Sequence, residues 1–222
     1  MDWAALRLSL ELGAATLLIL LPIGVMIGRT LAVRRFAGKG LVEAAVALPL
    51  VLPPTVLGFY LLQHLGARST LGHLMQSWTG HTLAFSFEGL VLASVIVNLP
   101  FAIQPIQRAF ESIPADLRDA AACCGMTTGQ TLFSVELPLA WPGIVSAGVL
   151  MFAHTLGEFG VVLMVGGNIP SETRTLSLAI YDRLQSFDDH GAGVMAATLL
   201  ALALAALALT HVLARKAVRR HE

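Results

Sequence analysis

The stretch DAAACCGMTTGQTLFSVELP, residues 119–138, is polar and broken by glycine in a chain that is otherwise mostly apolar. Gly125 predicts the end of a short helix, because glycine is favoured just after a helix C-terminus. Thr127 and Gln130 have the T-x-x-Q spacing of a capping box, which predicts that a second helix starts at once. We expect that helix to end before Pro138, since proline disfavours helical geometry in the residue ahead of it.

The composition indicates that lipid is the main solvent of this chain. Of its 222 residues, 56% are hydrophobic and 13% are charged, and the mean hydropathy is +0.75. Soluble domains carry about 25% charged residues, so there are too few charges here to cover a soluble surface. The 14 basic and 14 acidic residues balance, which gives no indication of a nucleic-acid partner.

Five apolar segments are long enough to cross a membrane, which takes about 20 helical residues. They cover residues 12–32, 42–65, 89–109, 141–165 and 192–214. The sequence therefore predicts an all-α, polytopic membrane protein with a single domain over residues 1–222. We expect the first segment to remain as an anchor, because no small-residue cleavage site follows it.

Basic residues are concentrated after the first, third and fifth apolar segments, at 29–39, 108–118 and 215–220. Cytoplasmic connections are enriched in Lys and Arg. The pattern thus predicts an outside N-terminus, a cytoplasmic C-terminus and a cytoplasmic loop over residues 112–138.

The spacing within that loop resembles the EAA motif of ABC importer permeases: E-A-A, three residues, G, nine residues, I, one residue and L-P. The matching residues, with Asp in place of Glu and Val in place of Ile, are Asp119, Ala120, Ala121, Gly125, Val135, Leu137 and Pro138. The resemblance implies a type I ABC importer transmembrane domain whose coupling helix docks on a cytoplasmic ATPase.

The chain contains no G-x-x-x-x-G-K-[ST] nucleotide motif. The resemblance therefore places ATP-Mg in a separate ATPase subunit and implies that this chain is neither an enzyme nor a cofactor carrier. Because two ATPase subunits need two coupling loops and one chain has one, we expect a homodimer with the pathway on its two-fold axis.

Three further stretches resemble the molybdate permeases of this family: LPLVLPPTVLGFYLL at 48–62, LGEFG at 156–160 and GNIPSETRTLSLAIY at 167–181. The resemblance implies a molybdate permease of the inner membrane that works with a periplasmic or extracellular oxyanion-binding protein. Tungstate and sulfate permeases also carry G-E-[FY]-G, so these substrates stay open as alternatives.

Two other classes of membrane protein fit the sequence less well than this family. Secondary transporters also use helices broken at mid-membrane, but no internal duplication is visible here. A membrane enzyme would need a catalytic motif, and neither G-x-S-x-G nor H-E-x-x-H occurs. No metal site or disulfide is predicted from His64, His73, His81 and the adjacent Cys123 and Cys124.

A pathway for a tetrahedral dianion should offer hydroxyls, amides and backbone N–H groups and avoid fixed negative charge. The candidate pathway or gate residues are Pro53, Pro54, Thr55, Asn98, His154, Thr155 and Glu158. Prolines in spans two and three, including Pro100 and Pro105, predict interruptions that serve either static packing or a flexing gate. A lone hydroxyl in a span can equally bond its own helix backbone.

Glu158 is predicted well inside span four, where an ionised carboxylate is costly and would repel an anion. We expect its carboxylate to turn sideways and to hydrogen-bond a neighbouring helix or the outer loop as a brace; a protonated or exposed carboxyl is the alternative. In the outer loop 166–191, topology and resemblance imply that Asn168, Glu172 and Arg174 contact the binding protein, with Arg174 facing an acidic rim. The alternative is a solvated loop.

Overall fold

The structure, a computed structural model, describes residues 1–218; the side chains at 71, 78, 79 and 210–218 lie outside that description, as do the basic side chains predicted at 215–220. Every regular element in the described part is helical, which confirms the predicted all-α class. The helices are α1 (Trp3–Val33), α2 (Lys39–Val51), α3 (Pro54–Leu65), α4 (Thr70–Thr79), α5 (Phe87–Glu111), α6 (Ala115–Cys123), α7 (Thr128–Thr131), α8 (Leu137–Gly157), α9 (Gly160–Gly166), α10 (Leu176–Gln185) and α11 (Asp189–Val218). A π-helical turn, Leu132–Glu136, joins α7 to α8.

Four helical segments of the described chain are long and apolar enough to cross a membrane: α1, α5, Thr128–Gly157 and Asp189–Leu209. The pair α2 and α3 adds a fifth if its two arms count as one broken span. This agrees with the prediction of about five spans. The first span begins earlier than the sequence suggests, because the Asp2 carboxylate accepts the Ala5 N–H at 3.0 Å and caps α1 there.

The predicted second span, 42–65, is divided in the structure. Its arms, α2 and α3, are bent by 108°. Neither Pro53 nor Pro54 has a backbone N–H, so the hydrogen-bond ladder of α2 cannot continue through them. In α5, by contrast, Pro100 and Pro105 lie within one helix of 25 residues. The predicted interruption is therefore confirmed for span two and wrong for span three.

The predicted boundaries of span four, 141–165, and of the helix before it are both wrong. The second helix of the cytoplasmic loop does not end before Pro138; it runs through the π-helical turn into α8 and ends at Gly157. The Leu137 N–H donates to the Leu132 carbonyl, five residues back. This wider turn accommodates Pro138, which lacks an N–H and whose ring would clash in a regular α-helical ladder.

The centre of the protomer is formed by α1, α5 and α8, and α5 is the most deeply buried of the spanning helices. Gly28 allows α1 to approach α5, since a Cβ there would lie 2.9 Å from Ile106 Cγ2 and 3.0 Å from the Gln107 nitrogen. Along its whole described length α2 has no buried residue. α2 therefore lies at the periphery of the bundle with its apolar side chains largely uncovered, whereas α3 packs against α9 and buries Leu65.

Candidate functional site

The loop between α5 and α8 contains the helix and sharp turn that the sequence predicts. After α6 ends at Cys123, Gly125 adopts the left-handed conformation with φ +75°. The Met126 N–H donates to the Ala121 carbonyl at 3.0 Å and the Gly125 N–H donates to the Ala122 carbonyl at 2.9 Å, which is a Schellman motif. No atom lies within 4 Å of a Gly125 Cβ position, so glycine is needed there for its backbone conformation.

The predicted capping box is present at the start of α7. The Gln130 N–H donates to Thr127 Oγ1 at 3.3 Å, and the Thr127 N–H donates to Gln130 Oε1 at 2.8 Å. The two reciprocal bonds satisfy N–H groups that would otherwise lack partners at a helix start. The local sequence therefore sets the turn between α6 and α7 without help from the rest of the bundle.

The residues that resemble the EAA motif divide between the surface and the interior. Exposed are Asp119, Ala120, Gly125 and Pro138; inward-facing are Ala121, Val135 and Leu137. Ala121 is 6% exposed, so it holds one side of α6 to the bundle. The opposite side of α6, with a carboxylate and small side chains, is free for a docking partner.

A buried carboxylate joins this loop to the helix bundle. Glu136, the last residue of the π-helical turn, is fully buried. Its Oε2 accepts from Arg29 Nε at 2.5 Å, and its Oε1 accepts from Arg118 Nε at 2.6 Å. The Arg118 guanidinium also donates to the carbonyls of Phe110 at 2.7 Å and Ile113 at 3.3 Å. These charge-assisted bonds connect α1, the end of α5, α6 and the start of α8.

Glu136 is not among the candidates predicted from the sequence. Arg29 and Arg118 enter the sequence-based prediction only as basic residues that indicate the cytoplasmic side. One signal was available. Glu136 stands between the apolar residues Val135 and Leu137 on a helix that must bury its apolar side, and a buried carboxylate needs a cationic partner.

The bend in span two lies next to the point where α8 ends and α9 begins. Pro53, Pro54 and Thr55 are exposed at the bend between α2 and α3. The start of α9 packs against this bend, since a Cβ on Gly160 would lie 2.7 Å from the Pro54 Cβ. The structure therefore brings the span-two candidates close to the Glu158 break in span four.

Asn98 and Thr155 also come together, but inside the protomer. Asn98 Nδ2 donates to Thr155 Oγ1 at 3.1 Å and to the Ser94 carbonyl at 2.9 Å. Thr16 Oγ1 donates to Ser94 Oγ at 2.9 Å and extends this polar cluster to α1. All four residues are buried. The structure does not bring Asn98 or Thr155 to an open surface, and their place on the pathway stays a prediction.

Glu158 lies at the end of α8 and not well inside a continuous span, which corrects the sequence-based position. Its Oε1 accepts the Val161 N–H at 3.3 Å, at the start of α9, and its Oε2 is 3.8 Å from His154 Nε2. Its backbone carbonyl accepts from Ser177 Oγ on α10 at 2.7 Å. The carboxylate thus bonds the next turn of its own broken span, while the backbone contacts the neighbouring helix. The His154 ring stacks on Phe101, with centroids 4.0 Å apart.

The three outer-loop candidates differ in how free they are to contact a partner. Arg174 Nε donates to Asn168 Oδ1 at 3.1 Å, and Arg174 Nη2 is 3.3 Å from Asp182 Oδ2. Asn168 Nδ2 in turn donates to both Asp182 carboxylate oxygens at 3.0 Å. Arg174 and Asn168 therefore hold the turn between α9 and α10 against α10, while Glu172 is exposed.

Within the described residues, no group of three His, Cys, Asp or Glu side chains is arranged to hold a metal ion. The exposed helix α6 lies at one end of the bundle, and the polar turn that contains Asn168 and Arg174 lies at the other. Between them, the α2–α3 bend lies next to the break between α8 and α9.

The sequence matches a known family over residues 21–219, described as binding-protein-dependent transport system inner membrane component. The molybdenum transport system permease protein ModB of Azotobacter vinelandii is 50% identical over 187 residues, covering 84% of this chain and 83% of that protein. The protein of the same name from Escherichia coli K12 is 38% identical over 215 residues, with 96% and 94% covered. A probable sulfate transport system permease protein cysT of Chlorokybus atmophyticus is 33% identical over 181 residues, with 82% and 63% covered.

Solved structures share the fold. A bacterial ABC transporter involved in the import of the acidic polysaccharide alginate superposes with a TM-score of 0.74 at 20% identity, covering 94% of this chain and 78% of that chain. The MetNI methionine ABC transporter, in inward-facing conformations, superposes with a TM-score of 0.70 at 20% identity, with 97% and 94% covered. At this identity the likeness concerns the fold alone.

Proposed function

The chain belongs to the family of binding-protein-dependent transport system inner membrane components, and we propose that it is the permease of an ATP-driven molybdate importer. The observation that supports molybdate as the substrate is the 50% identity to the molybdenum permease of Azotobacter vinelandii, over 83% of the length of that protein. As the permease component of an ABC transporter, this multi-pass inner-membrane chain leaves ATP hydrolysis to a separate subunit.

The coupling loop, residues 112–138, is the proposed ATPase contact within a single transmembrane domain, 1–222. The exposed side of α6 supports this, because Asp119 and Ala120 face outward while Ala121 anchors the helix. A short helix held between the ends of longer ones can transmit a push from the ATPase to those helices. Basic side chains at this end, Arg29 and Arg118 among them, support a cytoplasmic position and an outside N-terminus.

The proposed assembly is a homodimer of this chain with an ATPase dimer below it and an oxyanion-binding protein above it. One coupling loop per chain supports the two-fold arrangement. The uncovered apolar length of α2 supports an interface there, since a span must face lipid or another helix. The pathway is proposed at the exposed bend formed by Pro53, Pro54 and Thr55, next to the two-fold axis.

The binding protein is proposed to dock on the outer turn that contains Asn168, Glu172 and Arg174. Glu172 is exposed and forms the direct contact, while the paired Arg174 and Asn168 keep the turn in shape. A permease that leaves tight binding to a separate protein needs only weak contacts along its own pathway, because an anion held tightly would not be released.

The test is ATP hydrolysis in liposomes that contain this chain with its candidate ATPase and binding protein. Molybdate, tungstate and sulfate are compared at equal concentration. Gly125→Pro is the uncoupled variant, because the left-handed φ of +75° is closed to proline. Gly129→Ala is its control, since no atom lies within 4 Å of a Cβ there.

Stimulation by molybdate that Gly125→Pro abolishes and Gly129→Ala retains is the expected result. Stimulation by sulfate alone would move the chain to the sulfate permeases, a candidate that the 33% identity to the sulfate relative supports. Anion uptake without any ATPase would instead indicate a secondary transporter and would overturn the proposal.

A further inference from the structure

Glu136 is buried together with the two arginines that neutralise its charge. It lies neither on the exposed side of α6 proposed for docking nor among the residues proposed for the anion pathway. The side chain of Glu136 is 1% exposed, and those of Arg29 and Arg118 are 21% and 22% exposed. Each arginine occupies a different carboxylate oxygen. A carboxylate removed from water is costly unless it is paired and hydrogen-bonded, so the two arginines stabilise the Glu136 side chain at this position.

The three residues come from separate elements of the fold. Arg118 is on α6, the proposed docking helix, and Arg29 is near the cytoplasmic end of α1. Glu136 closes the π-helical turn that leads into α8. Through its other nitrogens Arg118 holds the Phe110 carbonyl, in the last turn of α5. The docking helix, α1 and the start of α8 thus meet at one carboxylate, and α5 is joined to it through Arg118.

Apolar packing alone would hold these helix ends less specifically, because the hydrophobic effect has no direction and permits helices to slide. Paired charge-assisted hydrogen bonds have a fixed geometry and are stronger than neutral ones. A displacement of α6 therefore pulls on α1, α5 and α8 together when these bonds are intact. Without them, the described part of the chain joins α6 to α8 through the turn at Gly125, α7 and the π-helical turn.

We infer that Arg29, Glu136 and Arg118 form a transmission clamp: positioning residues that make the docking helix move as one body with the cytoplasmic ends of α1, α5 and α8. This inference rests on the proposed function, in which α6 receives force from the ATPase. The clamp passes the displacement of α6, caused by ATP hydrolysis in the ATPase, on to the spanning helices. It does not depend on which oxyanion the transporter carries.

The test compares three quantities in the reconstituted complex: assembly with the ATPase, basal ATP hydrolysis, and hydrolysis stimulated by the loaded binding protein. Glu136→Gln keeps the shape of the side chain and removes its charge. We expect assembly and basal hydrolysis to persist, while the ratio of stimulated to basal hydrolysis falls about ten-fold, a typical size for a lost coupling interaction. A purely structural role would lower assembly and all activities in proportion.

Glu111→Gln is the matched control, because Glu111 is an exposed carboxylate at the same end of the bundle that accepts one bond from Gln107. It should leave the ratio unchanged. Arg118→Gln is the second variant in case Glu136→Gln does not accumulate, since it leaves Glu136 paired with Arg29. It should lower the ratio in the same way, and Arg118→Gln/Glu136→Gln should be no worse than the more severe single variant, because residues that act as a unit are not additive.

An unchanged ratio in Arg118→Gln would overturn the clamp, as would losses that add in the double variant. These outcomes are distinguishable from failure of the proposed function. If the wild-type chain assembles with no ATPase, the proposed function fails before any variant is compared.

Discussion

A Cβ atom on Gly160 would lie 2.7 Å from the Cβ of Pro54, so α9 begins against the start of α3 without room for a methyl group. Both residues are the first of a helix that follows a break in a spanning segment. Non-helical backbone at membrane depth is tolerated where protein buries it or where it lines a cavity. The contact buries part of each break, and the exposed side of the α2–α3 bend is left for the proposed pathway.

Gly160→Ala is predicted to destabilise the protein by about 1–3 kcal/mol, the usual range for overpacking a close contact. The proline ring is rigid, so the bend must shift to admit the methyl group. The measurement is thermal unfolding of the purified chain in detergent. Gly193→Ala in α11 is the matched control: no atom lies within 4 Å of its Cβ position, and equal losses in both variants would contradict the contact.

Thr155→Val is predicted to cost about 1–3 kcal/mol, because it leaves the buried Asn98 amide with one acceptor fewer. Thr198→Val is the matched control. Both hydroxyls donate to the carbonyl four residues back at 2.9 Å, but Thr198 is half-buried, and the bond that the structure describes for it is the one to Val194. Uptake per folded molecule is measured on the same preparations. Loss of uptake with unaltered unfolding would place Thr155 on the pathway instead.

Glu158→Gln is predicted to retain transport, whereas Glu158→Ala loses stability and transport. The amide oxygen of Gln can still accept the Val161 N–H, and Ala leaves that N–H without this partner. The stability difference between the two variants should be about 1 kcal/mol, as for other helix-start acceptors. Unfolding and uptake are measured on the same preparations. Complete loss of uptake in Glu158→Gln would show that the charge itself is required.

Asp188 contributes stability that depends on pH. The hydrogen bond from the Gly191 N–H, at 2.9 Å, and then Arg183 hold the pKa of this carboxyl below its ordinary value of 3.8. A lowered pKa in the folded state means that the contribution is present above the unfolded-state pKa and is lost as the pH falls through the folded-state pKa.

Asp188→Ala should therefore unfold at a lower temperature than the wild type at about pH 7, and the difference should shrink towards about pH 3. Asp188→Asn retains an acceptor for the Gly191 N–H and should show a smaller difference at neutral pH. A difference between wild type and Asp188→Ala that does not change with pH would contradict this account.

The loop between α5 and α8 shows where local sequence is sufficient. Gly125 and the Thr127–Gln130 capping box act on their own backbone within a few residues, so the turn between α6 and α7 could be predicted without any tertiary contact. The number of spans could be predicted for a similar reason, because the length of an apolar run is set by membrane thickness alone. The predicted helix end before Pro138 is wrong because a π-helical turn accommodates the proline, and the sequence pattern gives no sign of that turn.

The sequence by itself determined the all-α membrane class, a number of spans of about five and the turn between α6 and α7, since these follow from apolar length and short-range hydrogen bonds. The tertiary structure alone decided that Pro54 meets Gly160, that Asn98 and Thr155 are buried together, and that Arg29 and Arg118 share Glu136. The physical reason is distance along the chain. Each of these contacts joins residues from different helices, and only the packing angle and register of those helices determine which side chains meet.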